Sequence, residues 1–145
     1  MAGYRPLNKA ILDTDIFSEM IKGVNPTVAV HATTYRRAFG HYTLTAVTVM
    51  EIVQGYQQNH AARQLQAFLA ALPSQEVLGF DQADAELAGR IAGELEFTGK
   101  PIGTADSMIA AIAINHGIEL VTGNTAHFQR VHQLGYPLTL ANWRN

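Results

Sequence analysis

The sequence predicts an α/β fold with a central, mostly parallel sheet of four to five strands flanked by helices. Short apolar runs of strand length recur along the 145 residues, and segments with helical spacing separate them. Strands that alternate with helices form parallel sheets through right-handed crossovers. The length fits one domain, and no linker, low-complexity stretch or internal repeat divides it.

The first elements are a strand and two helices. An apolar run that ends in acid predicts the first strand over about Lys9–Asp13. Apolar residues at positions 16, 17, 20 and 21 repeat at helical spacing, which predicts a helix as far as about Gly23. Asn25 followed by Pro26 is typical of a helix start, with Asn as the cap and Pro in the first turn, and Gly40 ends this second helix.

The rest of the chain continues the alternation. Asp81 caps a long helix, and a loop over 99–103 precedes a helix that is apolar on nearly every side. This helix begins at Thr104 and ends at Gly117, and we expect it to be buried. The remaining predicted elements are strands over Tyr42–Ala46, Glu76–Phe80, Ile118–Thr122 and Pro137–Leu140, and helices over Thr48–Gln54, Asn59–Leu72 and Ala126–Leu134.

Composition narrows the function classes. Hydrophobic residues make up 48% and charged residues 15% of the chain, which is typical of a globular protein. The lack of cysteine excludes disulfides and thiolate metal sites. A net charge of −2 argues against a general nucleic-acid-binding surface, but it is compatible with a nuclease that recruits metal cations and contacts few phosphates.

Targeting signals are not evident. Met1–Pro6 has no apolar core of a signal peptide, and no apolar run approaches the length that spans a bilayer. We therefore expect a cytoplasmic protein without a membrane partner.

Acidic residues are few, five Asp and seven Glu, so their positions beside apolar runs are informative. Asp13 and Asp15 follow the first predicted strand. Glu51 follows the second strand, and Asp106 lies in the first turn of the buried helix. Ligand sites of α/β folds lie at the carboxyl ends of the strands, so these acids converge if the helix starts share one sheet edge.

Each acid also has a structural interpretation. Asp13 or Asp15 could cap the first helix, the segment 48–51 fits a capping box, and Asp106 is favoured by the helix dipole. Converging carboxylates repel one another, however, and a buried charge is costly unless something neutralises it. Three carboxylates without cysteine or paired histidine suit Mg²⁺ or Mn²⁺ rather than Zn²⁺.

Other polar residues give weaker signals. The six histidines form neither an i, i+4 pair nor an HExxH pattern, and we interpret most of them as surface or half-buried, with His127 the one that could lie near the acids. Thr122-Gly123-Asn124 ends a strand, and its polar groups fit either an ordinary turn with a helix cap or part of the site.

Several short motifs follow one another along nearly the whole chain. They are Ile-Leu-Asp-Thr-Asp at 11–15, Glu51 followed by Gly55, Ile-Gly-x-x-Asp-x-x-Ile-Ala-Ala at 102–111, Leu-Val-Thr-x-Asn-x-x-x-Phe at 120–128, and a closing Asn142-Trp143. Each motif alone is weak, but the ordered set resembles the PIN-domain ribonucleases and, more narrowly, the VapC toxins of bacterial toxin–antitoxin pairs.

The resemblance implies one PIN domain over residues 1–145, folded as a PIN-like three-layer sandwich. It implies a Mg²⁺- or Mn²⁺-dependent endoribonuclease that forms a homodimer and is blocked by a cognate antitoxin. The toxin would cleave tRNA or another structured RNA, leaving a 3′-hydroxyl and a 5′-phosphate, and so inhibit translation and growth.

The resemblance also assigns residues. The catalytic and metal-binding roles fall on Asp13, Glu51 and Asp106. Many family members have a fourth acid where this chain has Asn124, a neutral and weaker ligand. The supporting residues are Thr14, Asp15, Thr122 and Asn124, and the candidate RNA contacts, each of which is otherwise a solvated surface charge, are Arg36, Arg37 and Lys100.

Two alternatives remain open at this stage. The segment 13–15 matches the opening Asp-x-Asp of haloacid-dehalogenase-like phosphatases, in which the first Asp is a nucleophile, but that scheme also needs a Lys and a late pair of acids. A non-enzymatic phosphoacceptor receiver gathers acids at strand ends too, but it expects a mid-chain acceptor Asp and a late Lys. Incubation with acetyl phosphate or a phosphatase substrate, and separately with tRNA and Mg²⁺, distinguishes the three.

Overall fold

A computed structural model describes residues 7–145, so the expectation for Met1–Pro6 lies outside the described residues. Five strands form one sheet in the order β3-β2-β1-β4-β5, and every neighbouring pair is parallel. The central strand pairs Ile11 with Thr43 on one side and with Leu120 on the other. The strands are β1 (Ala10–Leu12), β2 (Thr43–Thr45), β3 (Glu76–Leu78), β4 (Glu119–Val121) and β5 (Leu140–Ala141).

Seven α-helices, counted over residues 7–145, connect and cover these strands. A short 3₁₀ turn over Leu72–Ser74 precedes β3. None of the helices in the described part of the chain is long and apolar enough to cross a membrane. The helices are α1 (Thr14–Lys22), α2 (Pro26–Phe39), α3 (Ala46–Gln58), α4 (Ala62–Ala71), α5 (Gln82–Phe97), α6 (Thr104–His116) and α7 (Thr125–Gln133).

Two apolar cores lie on opposite faces of the sheet. Alternate residues of β1 supply both, because successive side chains of a strand point to opposite faces. Ala10 and Leu12 pack with α1, α2 and α4, while Ile11 packs with α5, α6 and α7. The predicted three-layer α/β sandwich is confirmed.

Helix α6 is as buried as its sequence predicts. The side chains of residues 109–113 are inaccessible to solvent. An all-apolar helix surface is stable only where every side has a packing partner, and α6 lies in the same apolar core as α5 and α7. Gly117 ends the helix in the left-handed conformation that glycine adopts readily.

The start of α3 corrects the sequence analysis. The predicted helix over Thr48–Gln54 begins instead at Ala46, and Thr45 is its N-cap, accepting a hydrogen bond from the Thr48 backbone N–H at 3.2 Å. Glu51 therefore lies in the second turn, so the alternative interpretation of residues 48–51 as a capping box is wrong. The helix predicted from Asn59 begins later, at Ala62, because a turn at Asn59 and His60 separates α3 from α4.

Candidate active site

The candidate site lies at the carboxyl edge of the sheet beside β1. From β1 the chain builds β2 and β3 outward on one side, whereas β4 and β5 lie on the other side. This change of direction at β1 opens a crevice of the kind in which open α/β sheets bind ligands. Asp13 directly follows β1, and Thr122 directly follows β4.

Asp13 is buried, with 6% of its surface exposed, and two hydrogen bonds fix it. One carboxylate oxygen accepts from the Thr14 backbone N–H at 2.9 Å, which makes Asp13 the N-cap of α1. The other accepts from the Thr122 hydroxyl at 2.8 Å. Burial, and secondarily the negative charge of Asp15, raise the pKa of Asp13 from its usual 3.8 to about 7.

A chain of hydroxyl groups connects Glu51 to the start of α1. The Thr14 hydroxyl donates to Glu51 Oε1 at 2.7 Å, so it accepts from the Thr48 hydroxyl at 2.9 Å. Thr48 is fully buried and in turn lies 3.5 Å from the Thr45 hydroxyl. Sequence analysis misses this role of Thr48, because Thr-x-x-Glu is also the pattern of a capping box.

Asp106 is the third predicted acid, and it lies on α6, on the opposite face of the sheet from α1. It lies in the first turn of α6, half-buried, and its Oδ2 is 3.3 Å from Nε2 of His127. Burial is the main cause that raises the pKa of Asp106. His127 opposes the rise, and the charges of Glu51 and Asp15 add to it. Asp106 in turn contributes to the raised pKa of Asp13, so these two carboxylates repel each other.

His127 lies at the edge of this acidic group. Its Nε2 is 2.9 Å from the Ile102 carbonyl oxygen as well as 3.3 Å from Asp106. Because both neighbours are acceptors, Nε2 is the protonated nitrogen. The ring therefore connects α7 to the loop before α6.

Asp15 is held at the neighbouring position by backbone groups. Its carboxylate accepts from the backbone N–H of Ile16 at 2.7 Å and of Gly123 at 3.0 Å. Arg144 lies 3.5 Å from Asp15 and bonds Glu19 through Nε at 2.9 Å. Burial raises the pKa of Asp15, and Arg144 is among the groups that oppose the rise. No sequence motif pointed to Arg144, which lies far from Asp15 in the chain.

Asn124 occupies the turn after β4 and is exposed. Its backbone N–H donates to the Thr122 hydroxyl at 3.0 Å, while its side chain makes no capping bond to α7. The Asn124 amide is therefore accessible at the carboxyl edge.

The three predicted RNA contacts fall in different places. Arg36 and Arg37 lie in the last turn of α2, which leads to the start of β2, and Arg36 acts electrostatically on Tyr42 there. This is the amino edge of the sheet, so the structure does not bring them to the acids. Lys100 is exposed in the loop that leads into α6, on the same edge as Asp106.

The acids fit a hard cation only in part. Within residues 7–145, no group of three or more Asp, Glu or His side chains is arranged to hold a metal ion. Mg²⁺ usually keeps several waters and binds one or two carboxylates, rather than a cage made wholly of protein ligands. Carboxyl groups with raised pKa values at one sheet edge fit such a partly hydrated ion. They do not fit a closed structural site.

Comparisons with known proteins agree with this arrangement. Residues 10–134 match the family described as PIN domain. The chain is 33% identical to a protein named tRNA(fMet)-specific endonuclease VapC from Shigella flexneri, over 85% of this chain and 92% of that protein. Solved structures with the same fold include DNA-bound VapBC from Salmonella typhimurium, with a TM-score of 0.77, 27% identity and coverage of 94% of this chain and 99% of that one.

A second solved structure is VapBC2 from Rickettsia felis bound to a promoter DNA fragment, with a TM-score of 0.76, 26% identity and coverage of 92% and 98%. These similarities do not favour the phosphatase or the receiver alternative, because they extend over nearly the whole chain and concern VapC proteins throughout. The chain therefore belongs to the PIN-domain family, in the group of VapC endoribonuclease toxins.

Proposed function

We propose that this protein is a divalent-metal-dependent endoribonuclease whose catalytic acids are Asp13, Glu51 and Asp106. The observation that supports the proposal is that these carboxylates, which come from separate segments, influence one another: Asp106 raises the pKa of Asp13, and Glu51 raises the pKa of Asp106. Repelling carboxylates are retained where a cation offsets their charge. Mg²⁺ or Mn²⁺ is the cation that this donor chemistry favours.

We assign each residue a role from its position in the fold. Asp13 directly follows β1, Asp106 lies in the first turn of α6 and Glu51 lies on α3, and these three would hold the ion directly or through water. The ion supplies activation of a water nucleophile and neutralisation of charge on the scissile phosphate. Thr14 and Thr122 hold the carboxylates of Glu51 and Asp13 by hydrogen bonds, and Asn124 offers a neutral amide to water or phosphate.

Substrate and partners follow from the relatives. The Shigella flexneri relative is named for its action on tRNA(fMet), so tRNA is the substrate that we propose to test first. The VapBC structures contain a toxin with its antitoxin, and we propose a cognate antitoxin that covers the acidic crevice, together with a homodimer of this chain. The toxin acts by cutting RNA that translation needs.

Substitution of single acids tests the proposal. Asp13→Asn, Glu51→Gln and Asp106→Asn should each reduce Mg²⁺-dependent cleavage of tRNA at least a hundredfold, as expected when a metal ligand or its charge is lost. Glu86→Gln, an exposed acid of α5, is the matched control and should cleave as the unmodified protein does.

The measurement is cleavage of labelled tRNA with and without EDTA, alongside circular dichroism to verify folding. A folded variant that retains full activity would remove its residue from the active site. Cleavage that is equally fast in EDTA would refute the metal requirement.

A further inference from the structure

A cleft of about 220 Å³ with polar groups at both ends opens directly beside Glu51, between α1 and α3. Glu51 and Thr14 form its inner end, where they bond to each other at 2.7 Å. Lys22 and Asn59, both exposed, form its outer end. The complete lining is Thr14, Ser18, Lys22, Glu51, Ile52, Gly55, Tyr56 and Asn59.

Helical spacing explains the shape of the cleft. Residues four apart lie above one another on a helix. Positions 14, 18 and 22 thus form one wall on α1, and positions 51 and 55 of α3 with its C-cap residue 59 form the other. Eight residues of helix rise about 12 Å, so the cleft extends well beyond a single phosphate group at its inner end.

Gly55 keeps the middle of the cleft open. A Cβ atom at Gly55 would have no protein atom within 4 Å, although the residue is half-buried in the wall. A glycine inside a helix disfavours that helix by about 1 kcal/mol relative to alanine. A Cβ at position 55 would therefore enter the cleft without a clash inside the protein.

We propose that this cleft binds the single-stranded RNA nucleotide next to the scissile phosphate, with Lys22 contacting a backbone phosphate. This inference rests on the proposed nuclease function. The cleft is continuous with Glu51, it ends at a cation, and Ser18 and Asn59 offer hydroxyl and amide groups of the kind that bond ribose and base edges. The apolar side chains of Ile52 and Tyr56 offer a surface for a base.

The two ends of the cleft favour RNA over a protein segment. An amphipathic helix docks through an apolar face, whereas this cleft, although mostly apolar along its middle, ends at the Glu51 carboxylate on one side and at the Lys22 ammonium group on the other. Its volume is below the usual range for small-molecule pockets, so part of one nucleotide of a single strand can enter but a duplex cannot.

Filling the cleft is the direct test. Gly55→Leu should raise the KM for an unstructured oligoribonucleotide roughly tenfold, the effect of losing one base contact, and change kcat less. Gly55→Ala fills the cleft less and should raise KM less, while favouring the helix. Gly93→Leu is the matched control, because Gly93 is also an open helical position but lies on α5, outside the cleft lining.

The proposed contact of the Lys22 ammonium group with an RNA phosphate is tested separately. Lys22→Gln should lower the dependence of log KM on log salt concentration by about 0.7, the value for one phosphate contact to a single strand. Lys9→Gln, at the opposite sheet edge where Lys9 pairs with Glu76, should leave the salt dependence unchanged.

The outcomes separate this inference from the nuclease function. If the unmodified protein cleaves RNA and both Gly55→Leu and Lys22→Gln retain its KM and salt dependence, the subsite is refuted and the nuclease stands. If Gly55→Leu weakens only the binding of the antitoxin, the cleft is an antitoxin site and the RNA subsite is again refuted. Absence of Mg²⁺-dependent cleavage by the unmodified protein would refute the nuclease function itself.

Discussion

Thr14 illustrates how much one side chain organises at the residue scale. Its hydroxyl donates to Glu51 and accepts from Thr48, so it joins the first turn of α1 to the second turn of α3. A hydrogen bond to a charged group contributes about 1.5–3 kcal/mol, more than a neutral one. Among the described residues, Thr14 is the one that bonds the Glu51 carboxylate.

Thr14→Val should therefore lower kcat for RNA cleavage by about tenfold to a hundredfold, because it keeps the shape of the side chain but removes the hydroxyl. Thr14→Ser keeps the hydroxyl and should restore most of the activity. Steady-state cleavage at saturating Mg²⁺ measures both. Equal activity of the Val and Ser variants would show that the hydroxyl does not position Glu51.

Single residues also show what sequence reasoning can predict. Asp13, Glu51 and Asp106 were predicted as site residues because acids are scarce and each lies near the end of a predicted strand or the start of a predicted helix. Contacts that depend on the assembled sheet are not recognisable in this way. Arg144 reaches Asp15 only because β5 places the C-terminal segment beside β4, and no local pattern encodes that neighbour.

At the scale of elements, α3 shows why boundaries are harder to predict than types. Both Thr45 and Thr48 are good N-caps by their chemistry. The choice depends on where β2 ends, which is set by its parallel pairing with β3 from Thr43 to Thr45. The helix itself was predicted because its apolar spacing is local, whereas the sheet register is not.

The turn between β4 and α7 is a second element whose packing has a testable consequence. A Cβ at Gly123 would overlap the Arg144 guanidinium and crowd the Asp15 carboxylate. The φ of Gly123 is not in the left-handed region, so close packing rather than backbone conformation excludes a side chain here. Arg144 would have to leave its ion pairs with Asp15 and Glu19.

Gly123→Ala should lower the free energy of unfolding by about 1 kcal/mol, the upper value for partly exposed ion pairs. Arg144→Ala should lower the free energy of unfolding by the same amount. The double variant should be no less stable than either single variant, because both substitutions break the same ion pairs of Arg144. Urea unfolding of the unmodified protein, the two single variants and the double variant measures these free energies. Gly79→Ala is the control, because a Cβ there meets open space. Additive costs would mean that Gly123 and Arg144 act independently.

At the scale of the whole molecule, the acidic crevice opposes the stability of the fold. The pKa of Asp13 is raised from 3.8 to about 7, so the folded state holds a proton that the unfolded state releases between these values. Stability gained from this proton is complete below pH 3.8 and is lost as the pH rises to about 7. Three pH units correspond to at most about 4 kcal/mol.

Asp13→Asn should therefore stabilise the metal-free protein above pH 7 and flatten its loss of stability between pH 4 and 7. Asn is also a good N-cap, so α1 keeps its first hydrogen bond. The measurement is the melting temperature in EDTA across this pH range, with Glu86→Gln as the control. A variant that is less stable than the unmodified protein at pH 8 would contradict the burial argument.

The same variant should be inactive, which places stability and activity in opposition at one residue. The architecture that creates this opposition was predictable in outline. Five short apolar runs alternating with helices predict a parallel sheet, but the order β3-β2-β1-β4-β5, which gathers the acids, depends on pairings between segments distant in sequence.

The dispersal of the crevice residues along the chain has a consequence for biosynthesis. Thr122 reaches Asp13 only when β4 has paired with β1. A ribosome that translates this chain therefore carries an incomplete site until residues beyond 122 have left the exit tunnel. The hydrogen bond from Thr122 that fixes Asp13 forms only after most of the chain has been synthesised.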